Sequence, residues 1–167
     1  NNRSYRFDVA TARTLAAQLR RLASERGAGL AVTVSRRTSA KATAALRDGL
    51  GGVPMQFWDG TGANPYFGYL GLADAIVVTC DSVSMVSEAA STGKPVYVFD
   101  LPGFSRKFNA FHEGLRSAGI TRRFDGALDR WSYVPLSDTS VVAAEVRRRL
   151  QLPPLADPAP QIGRAHV

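Results

Sequence analysis

The chain has 167 residues, of which 45% are hydrophobic and 21% are charged, and its formal net charge is +7. This length is sufficient for one domain with a buried core. The sequence contains no apolar run of the roughly 18–20 residues that a transmembrane helix needs. A single cysteine excludes an intramolecular disulfide and is typical of a protein from a reducing compartment.

The basic residues are dispersed in pairs and triplets along Ala- and Arg-rich segments. This distribution is typical of solvated helix faces in a protein from a high-GC bacterial genome. Together with the single cysteine, this bacterial type of sequence predicts a cytoplasmic location, with peripheral membrane association left open. Dispersed charge also argues against nucleic-acid binding, and a small ligand that carries phosphate accounts equally well for a basic domain.

Apolar periodicity and turn-forming residues predict helices and strands that alternate along the chain. The first half contains a helix that Asp8 caps, a strand at 30–35, a helix at 39–50, a strand at 54–58 and a short helix at 65–72. The second half begins with a strand at 75–79, a helix from about Ser82 to Thr92 and a strand at 95–99. A helix with an apolar stripe of Phe104, Phe108 and Phe111 follows, and then a short strand in 120–124. A closing helix contains Val142, Val146 and Leu150. This alternation predicts the α/β class, with a doubly wound, Rossmann-like parallel sheet.

The chain begins with a helix, whereas in a doubly wound sheet a strand precedes that helix and runs in the sheet centre. We therefore expect that the first strand is missing and that a gap lies between the strands 30–35 and 75–79. We expect residues 1–152 to form the domain and residues 153–167 to form a disordered Pro-rich tail. Residues 162–167 resemble one reading frame of a sequencing adapter, and we interpret them as an artefact.

A cluster of polar side chains follows the strand at 75–79, namely Asp81, Ser82, Ser84 and Glu88. The carboxyl ends of parallel strands are where ligands of open α/β sheets bind. A helix that begins there presents unpaired N–H groups and the positive end of its dipole, which suits a phosphate. The alternative is that Asp81 or Ser82 only caps the helix and that Glu88 is a surface residue.

A second candidate anion site is SRRT, which follows the strand at 30–35 and contains Arg36 and Arg37. Guanidinium groups bind phosphate oxygens in a bidentate manner. Because both strands end at the same edge of a parallel sheet, the two segments should face each other. The alternative is a solvated loop with a capping Ser or Thr.

Three further features have weaker signals. Asn64 and Tyr66 either only start a helix around Pro65 or form a wall for a nucleobase. His112 is expected to be an ordinary surface residue. Cys80 is expected to be a small buried residue, although a nearby helix start could activate a thiol. The sequence has no Walker loop, no metal-ligand cluster and no Gly-x-Ser-x-Gly motif, so we predict neither a metal nor a cofactor.

Several separated motifs occur in order: SRRT, the segment NPYFGYLGLADAIVVTCDSVSMVSEAASTGKPVYVF, and a later W-x-Y-x-P-L pattern at 131–136. Together they resemble the bacterial and plant mitochondrial-fission ELM-type family. Proteins of that family look like two-domain GT-B glycosyltransferases, and this stretch is similar to their C-terminal half. The resemblance implies a preceding strand that ends in glycines and a separate N-terminal domain as partner. The plant members are implicated in recruiting a dynamin-like fission protein.

The segment DSVSMVSEA…GKP is also similar to the DSGG-x-x-EEA…GKP segment of UDP-N-acetylglucosamine 2-epimerases. That likeness implies that Ser82, Ser84 and the Met85 backbone hold a nucleotide diphosphate and that Glu88 contacts its ribose. The sequence departs from the epimerases at Val83-Ser84, where they carry two glycines and therefore leave more room for the ligand. By analogy with GT-B enzymes, basic residues such as Arg36 would add phosphate contacts.

Together these patterns lead us to expect the half of a GT-B-like glycosyltransferase-related protein that binds a UDP-type nucleotide sugar. The general base would come from the N-terminal domain, so this stretch alone should be inactive. One alternative is a non-catalytic scaffold of the ELM-type family. Another is epimerase-like hydrolysis, for which this stretch offers only Asp81 and Glu88 as acid–base carboxylates.

Overall fold

The computed structural model describes residues 4–137 and Arg149. Its elements are α1 (Val9–Arg26), β1 (Leu30–Thr33), α2 (Ala40–Gly49), β2 (Met55–Trp58), α3 (Tyr66–Leu72), β3 (Ile76–Thr79), α4 (Val83–Ala90), β4 (Val96–Phe99), α5 (Arg106–Ser117) and β5 (Thr121–Arg123). They lie in one compact unit, Asn1–Leu136, and confirm the predicted alternation. The predicted closing helix with Val142, Val146 and Leu150 and the predicted tail at 153–167 lie outside the described residues.

Polar side chains begin the helices as the sequence indicates. The Asp8 carboxylate accepts a hydrogen bond from the Thr11 N–H at 2.9 Å and caps α1. Ser39, Ser82 and Ser105 cap α2, α4 and α5 by the same kind of contact. Each cap satisfies an N–H group that has no acceptor within its own helix.

All strand pairs in the described part of the chain are parallel, which confirms the α/β class. One sheet consists of β1 and β2, with Leu30 opposite Met55. The other has the order β3-β4-β5, with Ile76 opposite Val96 and Val96 opposite Thr121. The break between the sheets falls between β1 and β3, where the sequence predicts the gap.

The core is deepest around β4, the central strand of the three-stranded sheet. All four of its residues are buried, as expected for an apolar strand that is covered on both faces. The residues of β1 and β2 are half-buried or exposed by comparison. Among the strands, burial is therefore greatest in β4.

The packing of α5 corrects two expectations. His112 is buried, with 3% of its surface exposed, whereas Phe104 is 70% exposed and precedes the helix. The buried face of α5 is built from His112 and Leu115, with Phe108 and Phe111 packed against the core. His112 Nε2 lies 2.7 Å from the Cys80 carbonyl oxygen. Because a carbonyl only accepts, Nε2 carries the proton, and this bond offsets part of the cost of burying the imidazole.

None of the described helices is both long and apolar enough to cross a membrane.

Candidate functional site

A cleft of about 690 Å³ separates the two sheets. Its interior is lined by β1 and β3 over their whole lengths and by Leu15, Leu19 and Leu22 of α1. Its mouth lies where β1 and β3 end. We call the following residues the cleft mouth: Ser35, Arg37, Thr38, Asp81, Ser82 and Met85. Both segments that the sequence identifies as anion sites thus contribute to one opening.

The cleft mouth contains the start of α4. The Ser82 hydroxyl accepts a hydrogen bond from the Met85 N–H at 3.4 Å, so Ser82 is the N-cap. Asp81 is buried, and its carboxylate accepts a hydrogen bond from the Thr79 hydroxyl at 2.7 Å. Ser84 is exposed and does not line the cleft. The capping alternative is therefore confirmed for Ser82, and Ser82 and Met85 at the start of α4 both line the cleft mouth.

The two arginines of SRRT occupy different surroundings. Arg37 lines the cleft mouth, while Arg36 lines a second hollow beside Arg47 and Asp59. The Arg37 N–H donates to the Ser35 hydroxyl at 3.0 Å, which holds the turn that separates the two side chains. Neither guanidinium forms an ion pair with another described residue. Arg37 therefore brings a positive charge to the same opening as Ser82.

Tyr66 and Glu88 form a contact that their separation in the sequence does not reveal. The Tyr66 hydroxyl donates to Glu88 Oε2 at 2.8 Å, across 22 positions of the chain. Burial of Tyr66, and then the bond to the Glu88 carboxylate, raise the pKa of the phenol above its usual range. Tyr66 also lines the cleft, so Glu88 is tied to its wall. Glu88 is consequently more than a surface residue.

Two residues position Tyr66 from outside the cleft. Asn64 is exposed, and its side-chain oxygen accepts a hydrogen bond from the Tyr66 N–H at 3.0 Å at the start of α3. The Lys94 ammonium donates to the Leu70 carbonyl at 2.9 Å and also to that of Gly71, at the end of α3. A cation at this position stabilises the negative pole of a helix. Lys94 was not predicted from the sequence, where its only signal is the Gly-Lys-Pro stop after α4.

Cys80 does not contribute a reactive group. Its side chain is buried, and the Leu101 N–H donates to its sulfur at 3.3 Å. Burial raises the pKa of the Cys80 thiol, which lowers the fraction of thiolate. This confirms the interpretation of Cys80 as a small buried residue. Among residues 4–137, no group of three or more His, Cys, Asp or Glu side chains is placed to hold a metal ion.

Comparison with known proteins gives relatives over most of the chain. A protein described as mitochondrial fission protein ELM1 from Arabidopsis thaliana is 45% identical over 123 residues, which cover 71% of this chain and 29% of that protein. An uncharacterised protein, RP120, from Rickettsia prowazekii (strain Madrid E) is 32% identical over 159 residues, covering 91% of this chain and 45% of that protein. The chain thus matches less than half the length of either relative. No solved structure gives a significant match.

The family profile described as Mitochondrial fission ELM1 matches residues 1–150. This range includes all ten described elements and the whole cleft mouth. The chain therefore belongs to the mitochondrial fission ELM1 family.

Proposed function

We propose that the cleft mouth binds the diphosphate of a UDP-type nucleotide sugar. The observation that supports this proposal is the convergence of Arg37 and the start of α4 at one opening, on the carboxyl edge of parallel strands. That edge is where open α/β sheets bind ligands, and a helix start beside a guanidinium suits a phosphate group. The predicted similarity to GT-B enzymes points to the same ligand class.

Each side chain at the site has a role that its chemistry permits. The first N–H groups of α4 and the Ser82 hydroxyl would donate to phosphate oxygens, and Arg37 would supply a bidentate contact. Glu88 accepts one bond from Tyr66, and a carboxylate has about four acceptor sites, so a ribose hydroxyl can still bind. The Tyr66 ring on the cleft wall would lie beside the nucleobase.

Besides Glu88, which reaches the cleft wall only through Tyr66, three predicted contacts lie outside the cleft lining. Arg36 lines the neighbouring hollow, and Ser84 and Asn64 are exposed. We propose that they contact only those parts of a ligand that extend beyond the mouth. They should therefore contribute less to affinity than Arg37 and Ser82.

In glycosyl transfer, this half of the protein would position the nucleotide sugar and stabilise the negative charge of its leaving diphosphate. Glycosyl transfer breaks the bond between the sugar and the diphosphate, and negative charge grows on the leaving phosphate. Arg37 and the N–H groups of α4 would stabilise that charge in the transition state. A general base for the acceptor would come from another part of the full-length protein, so the chain alone should be inactive.

Isothermal titration of the full-length protein with UDP tests the proposal. We expect Arg37→Ala to weaken UDP binding about tenfold or more, because it removes a charge-assisted contact. Arg20→Ala is the matched control, since Arg20 is exposed on α1 away from the cleft lining and the substitution changes the net charge equally. Equal affinities of both variants, or no binding of UDP to the unmodified protein, would contradict the proposal.

A non-catalytic interaction module is the second candidate. The observation that favours it is the exposure of Phe67 and Leu72 on α3, at 73% and 85% of their surfaces. Exposed apolar side chains mark a protein-binding surface when they form a contiguous patch. Complementation of a strain that lacks the full-length gene separates the candidates. If the chain is an interaction module, Phe67→Ser should abolish complementation and Arg37→Ala should retain it. If the cleft mouth binds a nucleotide, Arg37→Ala should abolish complementation and Phe67→Ser should retain it.

A further inference from the structure

The W-x-Y-x-P-L motif at 131–136 lies along the amino edge of the three-stranded sheet, opposite the edge that forms the cleft mouth. Trp131 Nε1 donates a hydrogen bond to the Gly119 carbonyl at 3.1 Å, just before β5 begins. The Tyr133 hydroxyl donates to the Lys94 carbonyl at 2.8 Å, just before β4 begins. We call residues 131–136 the amino-edge strap. It crosses the starts of two neighbouring parallel strands.

The amino-edge strap presents alternate side chains to the sheet. Trp131 and Tyr133 are half-buried, whereas Ser132 and Val134 are exposed. The rings of Trp131 and of Tyr97 on β4 pack edge to face, with 5.0 Å between their centroids. Burial raises the pKa of the Tyr133 hydroxyl, which therefore stays protonated and able to donate at neutral pH. Aromatic side chains with a polar tip combine ring packing with a hydrogen bond, and both interactions fix the strap beside β4.

The amino-edge strap also contacts the turn between α4 and β4. The Leu136 N–H donates to the carbonyl of Ala90, the last residue of α4, at 3.1 Å. Pro135 lies so close to Gly93 that an added Cβ would be 3.1 Å from Pro135 Cγ. Gly93 has a φ of 73°, a left-handed conformation that glycine adopts without strain. Together with the bond to the Lys94 carbonyl, these contacts hold the backbone of the whole turn.

Helix α3 has few contacts that fix its position. Only Leu70 is buried among its seven residues, and Phe67 and Leu72 are largely exposed. A helix of this length is not stable by itself in water, because few residues share the cost of nucleation. Burial of apolar surface gives α3 little additional stabilisation. The polar contacts at its two ends therefore carry much of its positioning.

Both ends of α3 are bound to the segment that runs from α4 to β4. At the start, the Tyr66 hydroxyl donates to the Glu88 carboxylate on α4. At the end, the Lys94 ammonium donates to the Leu70 carbonyl at 2.9 Å and to the Gly71 carbonyl. The last carbonyls of a helix have no N–H partner within it, and a cation there stabilises the negative pole. The backbone of Lys94 thus contacts the strap, while its side chain contacts α3.

We propose that the amino-edge strap sets the position of α3 through Lys94, which makes Tyr133 and Lys94 positioning residues for the cleft wall. A shift of the turn would draw the ammonium away from the end of α3 and would move Tyr66, at the start of that helix, relative to Glu88. None of residues 131–136 lines the cleft, so this motif acts on the candidate site from the opposite edge of the sheet. The positioning needs no nucleotide, and only its effect on UDP affinity rests on the proposed function.

Amide hydrogen exchange of the full-length protein without ligand, followed by NMR, tests the positioning. The Tyr69 and Ala73 N–H groups donate to the carbonyls of Pro65 and Tyr69 and report on the opening of α3. We expect Lys94→Met and Tyr133→Phe each to speed their exchange at least about fivefold, because each removes a bond on the path from the strap to α3. The amides of β4 should change less than about twofold, since they report on opening of the core.

Two matched variants control for the chemical change. Lys41→Met removes the same charge from an exposed position on α2, and Tyr5→Phe removes a hydroxyl that donates to Asn109 at 3.0 Å. Both should leave the exchange of the two α3 amides within about twofold. Equal acceleration of α3 and β4 in Tyr133→Phe would mean that the strap stabilises the whole fold and does not position α3. No acceleration of the α3 amides in that variant would likewise overturn the proposal.

The affinity for UDP adds a readout that a loss of stability alone would not move, because titration measures the folded protein. We expect Lys94→Met and Tyr133→Phe to weaken UDP binding about threefold or more, whereas Lys41→Met should not. If Arg37→Ala weakens binding but neither Lys94→Met nor Tyr133→Phe does, the proposed function stands and the positioning role is overturned. If the unmodified protein does not bind UDP, the proposed function fails, and the exchange of the α3 amides still decides whether the strap positions α3.

Discussion

At the scale of single residues, the contact between Tyr66 and Glu88 joins two segments that lie 22 positions apart in the sequence. The hydroxyl of Tyr66 reaches the carboxylate of Glu88, which connects the start of α3 to the middle of α4. At the other end of α3, the Lys94 ammonium donates a hydrogen bond to the Leu70 carbonyl. Together these contacts fix the helix that forms one wall of the cleft, so their loss should affect both stability and the geometry of the site.

The Tyr66 hydroxyl gives a prediction about pH. Its folded pKa is raised above the unfolded value of about 10, so its stabilisation is present below that pH and is lost as pH rises above it. We expect the free energy of unfolding to fall above about pH 10, and to fall less steeply in Tyr66→Phe. At pH 7 that variant should lose about 1 kcal/mol with the hydrogen bond. Urea titrations between pH 7 and 11 measure both effects.

Tyr69→Phe serves as the control for the pH prediction, since Tyr69 lies one turn later on the same helix. Burial also raises the pKa of Tyr97 and Tyr133, so Tyr66→Phe should reduce the alkaline slope without abolishing it. Identical slopes for Tyr66→Phe and the unmodified protein would contradict the assignment of this stabilisation to Tyr66.

At the scale of elements, the close approach of α1 and α2 depends on a glycine. A Cβ atom added to Gly49 at the end of α2 would lie 2.6 Å from Cβ of Ala16 on α1. Ala16 is itself fully buried. Gly49 therefore allows the two helices to pack at a distance that any larger residue would increase, and α1 is the helix that covers the cleft interior.

A matched pair of Gly→Ala variants tests this packing. Gly49→Ala should destabilise the protein by about 1–3 kcal/mol, because overpacking of the helix interface outweighs the gain in helix propensity. Gly114→Ala in α5 should stabilise it by about 0.5–1 kcal/mol, since an added Cβ there meets no atom within 4 Å. Denaturant unfolding measures both. A stabilised Gly49→Ala variant would show that α1 and α2 are less tightly packed.

At the scale of the whole molecule, the two sheets are unequally covered. β4 is buried at every position, whereas the residues of β1 and β2 are half-buried or exposed. Cys80 lies in the better covered part, where Leu101 and His112 contact it. Exposure of its sulfur thus requires opening of the three-stranded sheet or of α5.

Thiol labelling of Cys80 should therefore report global unfolding. We expect native Cys80 to react at least about 1,000-fold more slowly with iodoacetamide than unfolded Cys80, because labelling requires a costly opening. Mass spectrometry of the Cys80 peptide across a urea titration should follow the loss of circular dichroism. In a Cys80→Ala, Thr61→Cys variant the exposed thiol should react without urea. Rapid labelling of native Cys80 would instead indicate local opening at the end of β3.

The amino-acid sequence by itself determined the order and class of the elements. Apolar runs such as residues 76–79 and caps such as Asp8 and Ser82 act within a few positions of the chain, so local chemistry is sufficient to identify them. The parallel pairing also followed from the alternation of helices and strands. The place of the break between the sheets was predicted from the strand order of a doubly wound sheet. Family membership was likewise visible in the motifs and is confirmed by the family profile.

Only the tertiary structure decided which side chains meet. It separated Arg37 from its neighbour Arg36, joined Tyr66 to Glu88 and buried His112 beside Cys80. The reason is that these contacts depend on the direction in which each helix and loop presents its residues. In a turn such as 35–38 the direction of each side chain depends on the local backbone conformation. Hydrophobic periodicity also does not record a histidine that donates to a buried carbonyl.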